Sequence, residues 1–487
     1  FVISFLGGSQ VQIAGPTAAF ATIVAGIVAR SGVEGLAVAT IMAGIILVIM
    51  GFCQLGSLIK FIPFTITTAF TSGIAVTIVI GQLKDFFGVT YPAGMETIET
   101  MQKLKAFAAG FGTMNVHALI VGLVCLAILI VMPKITEKIP GSLVAVLVGI
   151  VMVKFLPLQV NTIGDLYSVS NALPAFHMPA FSYDVIQGSL SDAFTIAILA
   201  AIESLLSCVV ADGMINGKHR SDMELVAQGA GNIASALFGG IPATGAIART
   251  AANIKNGGRT PVAGMVHSIT LVIVLVVLMP YAGMIPMPTI AAILFIVAYN
   301  MCQWRTFLQL VKTAPKSDIL VLVVTFVLTV LFDLVVAIEI GMILACLLFI
   351  KRMSEETKAE SWVYTDDDTV AVNENLRKLP AEIRVYEVSG PLFFGASDAI
   401  EHIVVEESAK CLVLRMRAVP ALDSTAMNAL TALTKTCESK GVTIVFSHVN
   451  EQPMKVMKKA GFVALAGEEN FCPNITAALE RAEEIIK

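Results

Sequence analysis

The chain has 487 residues, of which 56% are hydrophobic and only 14% are charged, and its mean hydropathy is +0.83. Soluble globular proteins carry about 25% charged residues, so this composition excludes an ordinary soluble enzyme. It also excludes a disordered chain and a secreted disulfide scaffold. The net charge of −4 gives no indication of a nucleic-acid partner, and we expect none.

The charged residues are divided unevenly along the chain. Residues 1–353 contain 33 of them, whereas the shorter remainder, 354–487, contains 35. We therefore predict a transmembrane domain over 1–353, a linker with the start of a second domain over 354–382, and an acidic soluble domain over 383–487. The eight cysteines include no CxxC pair, so we expect small buried side chains, no metal site and no cofactor.

Apolar stretches with few charges follow one another through the first domain. The twelve predicted stretches are 18–30, 35–58, 62–82, 117–133, 142–156, 191–211, 223–239, 242–254, 261–280, 286–302, 318–332 and 334–350. A helix that spans the bilayer needs about 20 residues. The stretches 18–30 and 242–254 are shorter, and each begins at a cluster of proline, glycine and threonine.

The basic residues between these stretches predict the orientation of the chain. If the C-terminal domain is placed in the cytoplasm, alternate connections between the stretches lie on the cytoplasmic side. These inner connections carry twelve Lys and Arg residues, and the outer connections carry five. This bias follows the positive-inside rule, so we expect a multi-pass membrane protein with a cytoplasmic C-terminal domain. The chain opens on apolar residues with neither a starting Met nor a signal peptide, and we expect at least one further membrane segment before Phe1.

Two clusters, GPTAA at 15–19 and PATGA at 242–246, are the strongest indication of a binding site. Transporters built from inverted repeats place broken helices at the bilayer midplane, with helix N-termini facing one ligand. The free N–H groups and the positive end of the helix dipole attract an anion there. The alternative interpretation is two helix kinks at which small residues pack.

Glu203 lies in the middle of the strongly apolar stretch 191–211. An ionised carboxylate at membrane depth costs at least about 3 kcal/mol, so the protonated form is accessible. Ser207 follows one helical turn later on the same face. We interpret these residues as a proton or cation site; the alternative is a neutral Glu that hydrogen-bonds a neighbouring helix.

Arg249 is the one basic residue well inside an apolar stretch, less than two turns after the start of the second cluster. Three roles are open at this point. It supplies positive charge beside an anion, it pairs with Glu203, or its side chain extends to the cytoplasmic interface.

From residue 383 onward, strand-like runs alternate with helical runs. Strands are predicted at 383–388, 411–416 and 442–449, and helices at 423–439, 452–460 and 475–486. This alternation is typical of a small α/β domain.

Several motifs resemble a known family. GGSQVQIAGPT at 7–17, GGIPATGAIART at 239–250 and NGGRTP at 256–261 resemble the signature stretches of the SulP (sulfate permease) anion transporters. VSGPLFF at 388–394 and LDSTA at 422–426 resemble a STAS domain. The resemblance covers nearly the whole chain.

This resemblance implies an α-helical polytopic membrane domain of fourteen segments in an inverted 7+7 repeat, with the first segments missing here, followed by a small α/β STAS domain. It also implies a core that moves against a gate, a homodimer, and an anion between half-helices at about 16–30 and 242–254. The implied substrate-binding residues are Thr17, Ala18, Ala19, Phe20, Thr244, Gly245, Ala246, Ile247 and Arg249. Glu203 and Ser207 are the implied coupling residues.

One departure from the family pattern bears on the coupling ion. Where sodium-coupled bicarbonate members have Asp and Thr in the eighth segment and Thr in the tenth, this chain has Glu203, Ser207 and Ile247. Ile247 has no side-chain oxygen for sodium, which favours a protonatable Glu. We therefore expect proton-coupled secondary transport of a dicarboxylate, sulfate or bicarbonate across a bacterial inner membrane.

Three other functions remain open from the sequence. They are a sodium-coupled bicarbonate symporter, an uncoupled anion exchanger or channel, and a membrane scaffold whose STAS domain binds a cytoplasmic protein partner. Ser424 matches the region of the phosphoacceptor in regulatory STAS relatives, and the alternative is helix capping by Asp423 or Ser424. We expect no enzymatic activity, because no nucleophile–base pair or metal-ligand cluster has a recognisable spacing.

Overall fold

The computed structural model describes residues 1–95, 97, 99–136, 139–168, 170–332, 334–361, 379–380, 382–405 and 408–487. The chain forms two compact units, Phe1–Ile343 and Leu344–Lys487. Most of the predicted linker, residues 362–378 and 381, lies outside the described residues.

The first unit is built of helices and two very short strands, and the chain leaves it within its last helix, Leu334–Glu355. In chain order the helices are α1 (Val2–Leu6), α2 (Ala18–Phe52), α3 (Phe64–Phe87), α4 (Thr100–Gly110), α5 (Val116–Ile135), α6 (Gly141–Phe155), α7 (Ile163–Leu166), α8 (Tyr183–Ile215), α9 (Ser221–Leu237), α10 (Ile247–Lys255), α11 (Pro261–Ala282), α12 (Met287–Cys302), α13 (Trp304–Thr313), α14 (Lys316–Leu331) and α15 (Leu334–Glu355). The strands are β1 (Ala14–Gly15) and β2 (Thr244–Gly245), and 3-10 helices occupy Leu55–Phe61 and Phe111–Thr113.

Each of the twelve predicted apolar stretches contains a helix of this unit. Helix α2 accounts for two of them, because Gly32 has a φ of +69° and interrupts its helical backbone. Six described helical segments are long and apolar enough to cross a membrane, namely Ile23–Phe52, Phe64–Phe87, Val116–Ile135, Tyr183–Ile215, Pro261–Ala282 and Met287–Thr313. Only 6% of the most apolar part of Pro261–Ala282 is buried by protein, so its apolar side chains are exposed in the described structure, as is typical of a helix that faces lipid.

The helices of the first unit pack in two groups. Helices α8 and α9 pack on α2, and α10 packs on α8, whereas α12 and α14 pack on α3, and α5 packs on α12. An apolar core that includes Phe20, Leu47 and Leu199 holds α2 against α8. The first group therefore carries both proline, glycine and threonine clusters.

The second unit contains a five-stranded sheet flanked by helices. The strands are β3 (Lys358–Ser361), β4 (Ile383–Ser389), β5 (Cys411–Ala418), β6 (Thr443–Ser447) and β7 (Phe471–Cys472), and the helices are α16 (Asp398–Glu401), α17 (Ser424–Ser439), α18 (Glu451–Lys459), α19 (Phe462–Ala466) and α20 (Ile475–Ile486). The strands follow one another in chain order across the sheet; β3 is antiparallel to β4, and the other pairs are parallel. All six elements predicted from residue 383 onward are present.

The prediction that the cysteines are buried is wrong for Cys53 and Cys346, which are exposed, and is confirmed for two cysteines of this unit. Cys411 of β5 and Cys437 of α17 are buried in its core. Burial raises the pKa of Cys411 to about 12 and that of Cys437 to about 11. Both thiols therefore stay protonated at neutral pH and pack as small apolar side chains.

We expect deletion of residues 360–487 to leave a folded, membrane-inserted protein with reduced transport. The reason is that each unit has its own apolar core; that of the second includes Leu392, Leu414 and Phe446. Size-exclusion chromatography of the detergent-extracted truncated protein, followed by uptake in proteoliposomes, checks this expectation. A truncated protein that cannot be extracted in a monodisperse state would show that the units do not fold independently.

Candidate anion-binding site

The two clusters meet in the structure at the strand pair β1–β2. Ala14 lies opposite Gly245, and Gly15 lies opposite Thr244, in antiparallel register. The N–H group of Ala246 donates to the carbonyl oxygen of Ile13 at 2.9 Å. Each cluster thus first forms an extended strand, and its helix begins only at Ala18 or Ile247. The strand pair holds the starts of α2 and α10 side by side.

Neither helix start is capped by a side chain in the described structure. The N-cap residues are Thr17 for α2 and Ala246 for α10, and neither side chain accepts a hydrogen bond from its helix. The first N–H groups of a helix have no partner within that helix, and they lie at the positive end of its dipole. Two neighbouring sets of such N–H groups are suited to binding an anion.

Glu203 contacts the start of α2 directly. The hydroxyl of Thr17 donates to Oε2 of Glu203 at 3.0 Å. The glutamate side chain comes from α8 and is half-buried. A carboxylate in the apolar part of the chain therefore lies at one of the two uncapped helix starts.

Ser204, the next residue of α8, secures the second cluster. Its hydroxyl oxygen accepts from the N–H group of Gly245 at 3.0 Å and lies 2.9 Å from Oγ1 of Thr244. Thr244 in turn donates to the carbonyl oxygen of Ala200 at 3.1 Å. Consecutive residues of one helix, Glu203 and Ser204, thus hold both helix starts. The sequence prediction missed Ser204, although a hydroxyl group next to a carboxylate in an apolar stretch could have indicated it as a site residue.

Ser207 contacts the second helix rather than Glu203 in the described structure. Its hydroxyl donates to Oγ1 of Thr250 at 3.3 Å, and the same oxygen accepts from the N–H group of Ile13 at 3.0 Å. Thr250, which the sequence prediction also missed, therefore ties α8, α10 and the segment before β1 together. A part for Ser207 in coupling remains a prediction.

Arg249 bridges the two helix starts. It lies in the first turn of α10, and its Nη2 donates to the carbonyl oxygen of Pro16, two residues before α2 begins. No ion pair joins it to Glu203 among the described side chains. Among the described side chains the structure thus does not show the pairing with Glu203, and a positive charge beside an anion stays a prediction.

The side chains of the other predicted binding residues differ in how far they are exposed. Phe20 is fully buried in the apolar core, and the side chain of Thr244 is fully buried and hydrogen-bonded. Ile247 is exposed at the start of α10, whereas Ala246 is buried. The side chains of Ala18 and Ala19 lie outside the described residues. The site therefore offers main-chain groups more than side-chain groups.

A cavity of about 720 Å³ lies between the two groups of helices. Its lining includes Ile23, Gly26 and Arg30 along one face of α2, together with polar side chains of α8 and α14 such as Asp192 and Thr329. Arg30 and Asp192 form an ion pair of 2.8 Å at this cavity. The cavity thus borders the part of α2 that follows its first turn.

In the second unit, Asp423 rather than Ser424 caps α17. Its Oδ1 accepts from the N–H group of Ala426 at 2.9 Å, and its Oδ2 accepts from that of Phe394 at 2.8 Å. Ser424 is the exposed first residue of the helix. A regulatory role of Ser424 remains a prediction.

Replacement of Arg249 by Ala is expected to weaken anion binding much more than it weakens folding. A guanidinium close to two positive helix ends is unfavourable unless negative charge compensates it, and an anion at the helix starts supplies that charge. We expect the half-saturation concentration of uptake to rise by about tenfold, with a small change in thermal unfolding temperature. An Arg249→Ala protein with the parent's anion affinity would show that this side chain has no part in binding.

Known proteins resemble both parts of the chain. The profile of the Sulfate permease family matches residues 1–325, and that of the STAS domain matches residues 377–478. YvdB of Bacillus subtilis (strain 168), named as a candidate sulfate transporter, is 38% identical over 474 residues, which cover 96% of this chain and 88% of YvdB. Bicarbonate transporter BicA of Synechocystis sp. is 31% identical over 499 residues, with 99% and 87% covered.

Two solved structures share the fold. The transmembrane domain of a cyanobacterium bicarbonate transporter BicA is 28% identical, with a TM-score of 0.60 over 71% of this chain and 86% of that one. The murine Solute Carrier 26 family member A9 anion transporter is 19% identical, with a TM-score of 0.85 over 99% of this chain and 84% of that one. These matches confirm the predicted fold class, a helical membrane domain followed by a STAS domain. The chain belongs to the sulfate permease family of anion transporters.

Proposed function

We propose that this protein is a proton-coupled secondary transporter of a small anion. The anion binds between the starts of α2 and α10, and Glu203 carries the proton. The contact that supports this most directly is the 3.0 Å hydrogen bond from Thr17 to Glu203, which joins a protonatable group to an uncapped helix start.

The coupling follows from electrostatics. An ionised Glu203 repels an anion bound at the start of α2, whereas a protonated one does not. Proton binding and anion binding therefore strengthen each other, and this effect is reciprocal by thermodynamic linkage. Movement of the first helix group against the second, with the anion and proton bound together, then exposes the site to either side of the membrane.

The anion is bound mainly by main-chain donors in this proposal. Thr17, Ala18, Ala19 and Phe20 contribute the turn that opens α2, and the residues from Thr244 to Ile247 contribute the strand and turn that open α10. Arg249 adds the positive charge. Relatives named for sulfate and for bicarbonate support these two anions as substrates, and a dicarboxylate is the third class to test.

The placement in the cell forms part of the same proposal. The protein lies in a bacterial inner membrane as a homodimer, and its STAS domain faces the cytoplasm. The twelve basic residues assigned to the inner connections, against five assigned to the outer ones, support this orientation.

Uptake into proteoliposomes tests the function. Labelled sulfate, bicarbonate and a dicarboxylate are offered with and without an inward proton gradient, and with sodium absent or present. We expect one of these anions to accumulate when the outside is acidic, independently of sodium. Accumulation that requires sodium and ignores pH would replace the proposal with sodium symport, and flux without accumulation would replace it with an uncoupled exchanger or channel.

A further inference from the structure

A second acidic side chain is fully buried close to the candidate site. Glu224 of α9 has 0% exposed surface. Its Oε2 accepts from the N–H groups of Gly8 and Ser9 at 2.9 and 3.2 Å. Its Oε1 accepts from the Nε2 atoms of Gln12 and Gln228 at 2.8 and 3.0 Å. Each carboxylate oxygen thus receives two hydrogen bonds.

This environment sets Glu224 apart from Glu203. Four donors occupy the acceptor positions of its carboxyl group, so both oxygens of Glu224 are fully hydrogen-bonded within the protein. Glu203 receives one hydrogen bond from the described side chains, that of Thr17. The two acids therefore lie in different hydrogen-bonding environments, and that of Glu224 is suited to a structural task.

Gln12 connects Glu224 to the strand pair. Its Nε2 donates to Glu224, and its Oε1 accepts from Sγ of Cys208 on α8, so both ends of the amide are fixed. A Cβ atom at Gly245 would overlap Nε2 of Gln12. The amide therefore lies directly against the main chain of β2, and only a glycine fits there.

The same carboxylate fixes the chain that leads into β1. The N–H group of Arg220 donates to the carbonyl oxygen of Gly8 at 3.1 Å. A Cβ atom at Gly8 would overlap the carbonyl oxygen of Arg220. The segment 7–9 thus crosses the beginning of α9 in main-chain contact, where Glu224 accepts from two of its N–H groups.

We propose that Glu224 is a positioning residue for anion transport. Through its four hydrogen bonds it holds the segment 8–12 and the amide of Gln12, and these in turn fix the strand pair that aligns the starts of α2 and α10. Glu224 itself does not touch the anion. This inference rests on the proposed anion site but not on the proposed proton coupling.

The test uses two matched substitutions of glutamine by methionine in the full-length chain. Gln12→Met removes the link between Glu224 and Gly245, whereas Gln228→Met removes the other donor to the same oxygen. This control loses the same kind of hydrogen bond to Glu224, but the bond of Gln228 stays within α9 and does not lead to the strand pair. Glu224→Gln is the third variant, because it keeps the shape but leaves one accepting oxygen for four donors.

In proteoliposome uptake of the transported anion, Gln12→Met and Glu224→Gln are expected to raise the half-saturation concentration about tenfold or more. The maximal rate per folded protein stays near that of the parent, and accumulation remains driven by pH. Gln228→Met keeps the parent's half-saturation concentration. Thermal unfolding of each variant in detergent separates a loss of affinity from a loss of folded protein.

Two results would overturn the proposal. One is an unchanged half-saturation concentration in Gln12→Met, which decides the question even where Glu224→Gln does not fold. The other is an equal rise in Gln12→Met and Gln228→Met, since that pattern indicates a general structural effect. Failure of proton coupling would show instead as uptake that ignores pH in the parent, so the two proposals fail in distinguishable ways.

Discussion

Glu203→Gln is expected to bind the anion and yet to lose all accumulation driven by a proton gradient. The amide reproduces the neutral, protonated form of Glu203 and keeps an oxygen that accepts from Thr17. In the parent, anion binding strengthens as pH falls, because protonation removes a negative charge beside the anion. In the variant, binding stays strong at high pH and no longer depends on pH, because nothing titrates there.

The measurement is uptake by reconstituted parent and Glu203→Gln proteins across a range of pH, with sodium absent and then present. Asp184→Asn is a matched control, since Asp184 lies exposed in the first turn of the same helix. The control is expected to accumulate anion as the parent does. If Glu203→Gln still accumulates the anion against its gradient, another group carries the proton.

Ala246→Trp is expected to abolish anion binding while the protein still inserts into the membrane. Ala246 is the buried N-cap residue of α10, and its N–H group pairs with Ile13 at the strand pair. An indole at this position occupies the space in front of the free N–H groups, so we expect the half-saturation concentration to rise at least about a hundredfold. Ala18→Trp is the corresponding change at the start of α2.

Substitutions of increasing size at Ala246 separate a steric block of anion binding from misfolding of the protein. Ala246→Val is expected to weaken anion binding, and the larger side chain of Ala246→Leu is expected to weaken it further. The control is Ala252→Trp, at an exposed position in the second turn of α10, and it is expected to keep the parent's affinity. Binding is measured by uptake and insertion by monodisperse elution in detergent. Parent-like affinity in a folded Ala246→Trp protein would refute this position for the anion.

The helices and the C-terminal domain can be predicted from this sequence for a simple reason. The long apolar stretches have the composition that a helix in lipid requires, and the alternation after residue 383 repeats over enough residues to be recognised. The strand pair β1–β2 cannot be found in that way. Two strands of two residues each carry no periodic signal. In addition, the paired residues Ala14 and Gly245 are separated in the sequence by most of the membrane domain.

The candidate site is partly predictable for a related reason. Glu203 and Arg249 stand out because charge is rare inside apolar stretches. Glu224 falls at the edge of its predicted stretch, 223–239, where it resembles an ordinary interfacial charge. Ser204, Thr250 and Gln12 are small or neutral polar residues, and only the three-dimensional contacts show that they hold the helix starts in place.

The hydrogen-bond chain from Gly245 through Ser204 and Thr244 to Ala200 has a consequence for the choice of substrate. Both hydroxyl hydrogens are already used within the protein, so neither is left to distinguish one oxyanion from another. Main-chain N–H groups donate to any oxygen of suitable charge and distance. We therefore expect the room between the starts of α2 and α10 to decide which oxyanion binds.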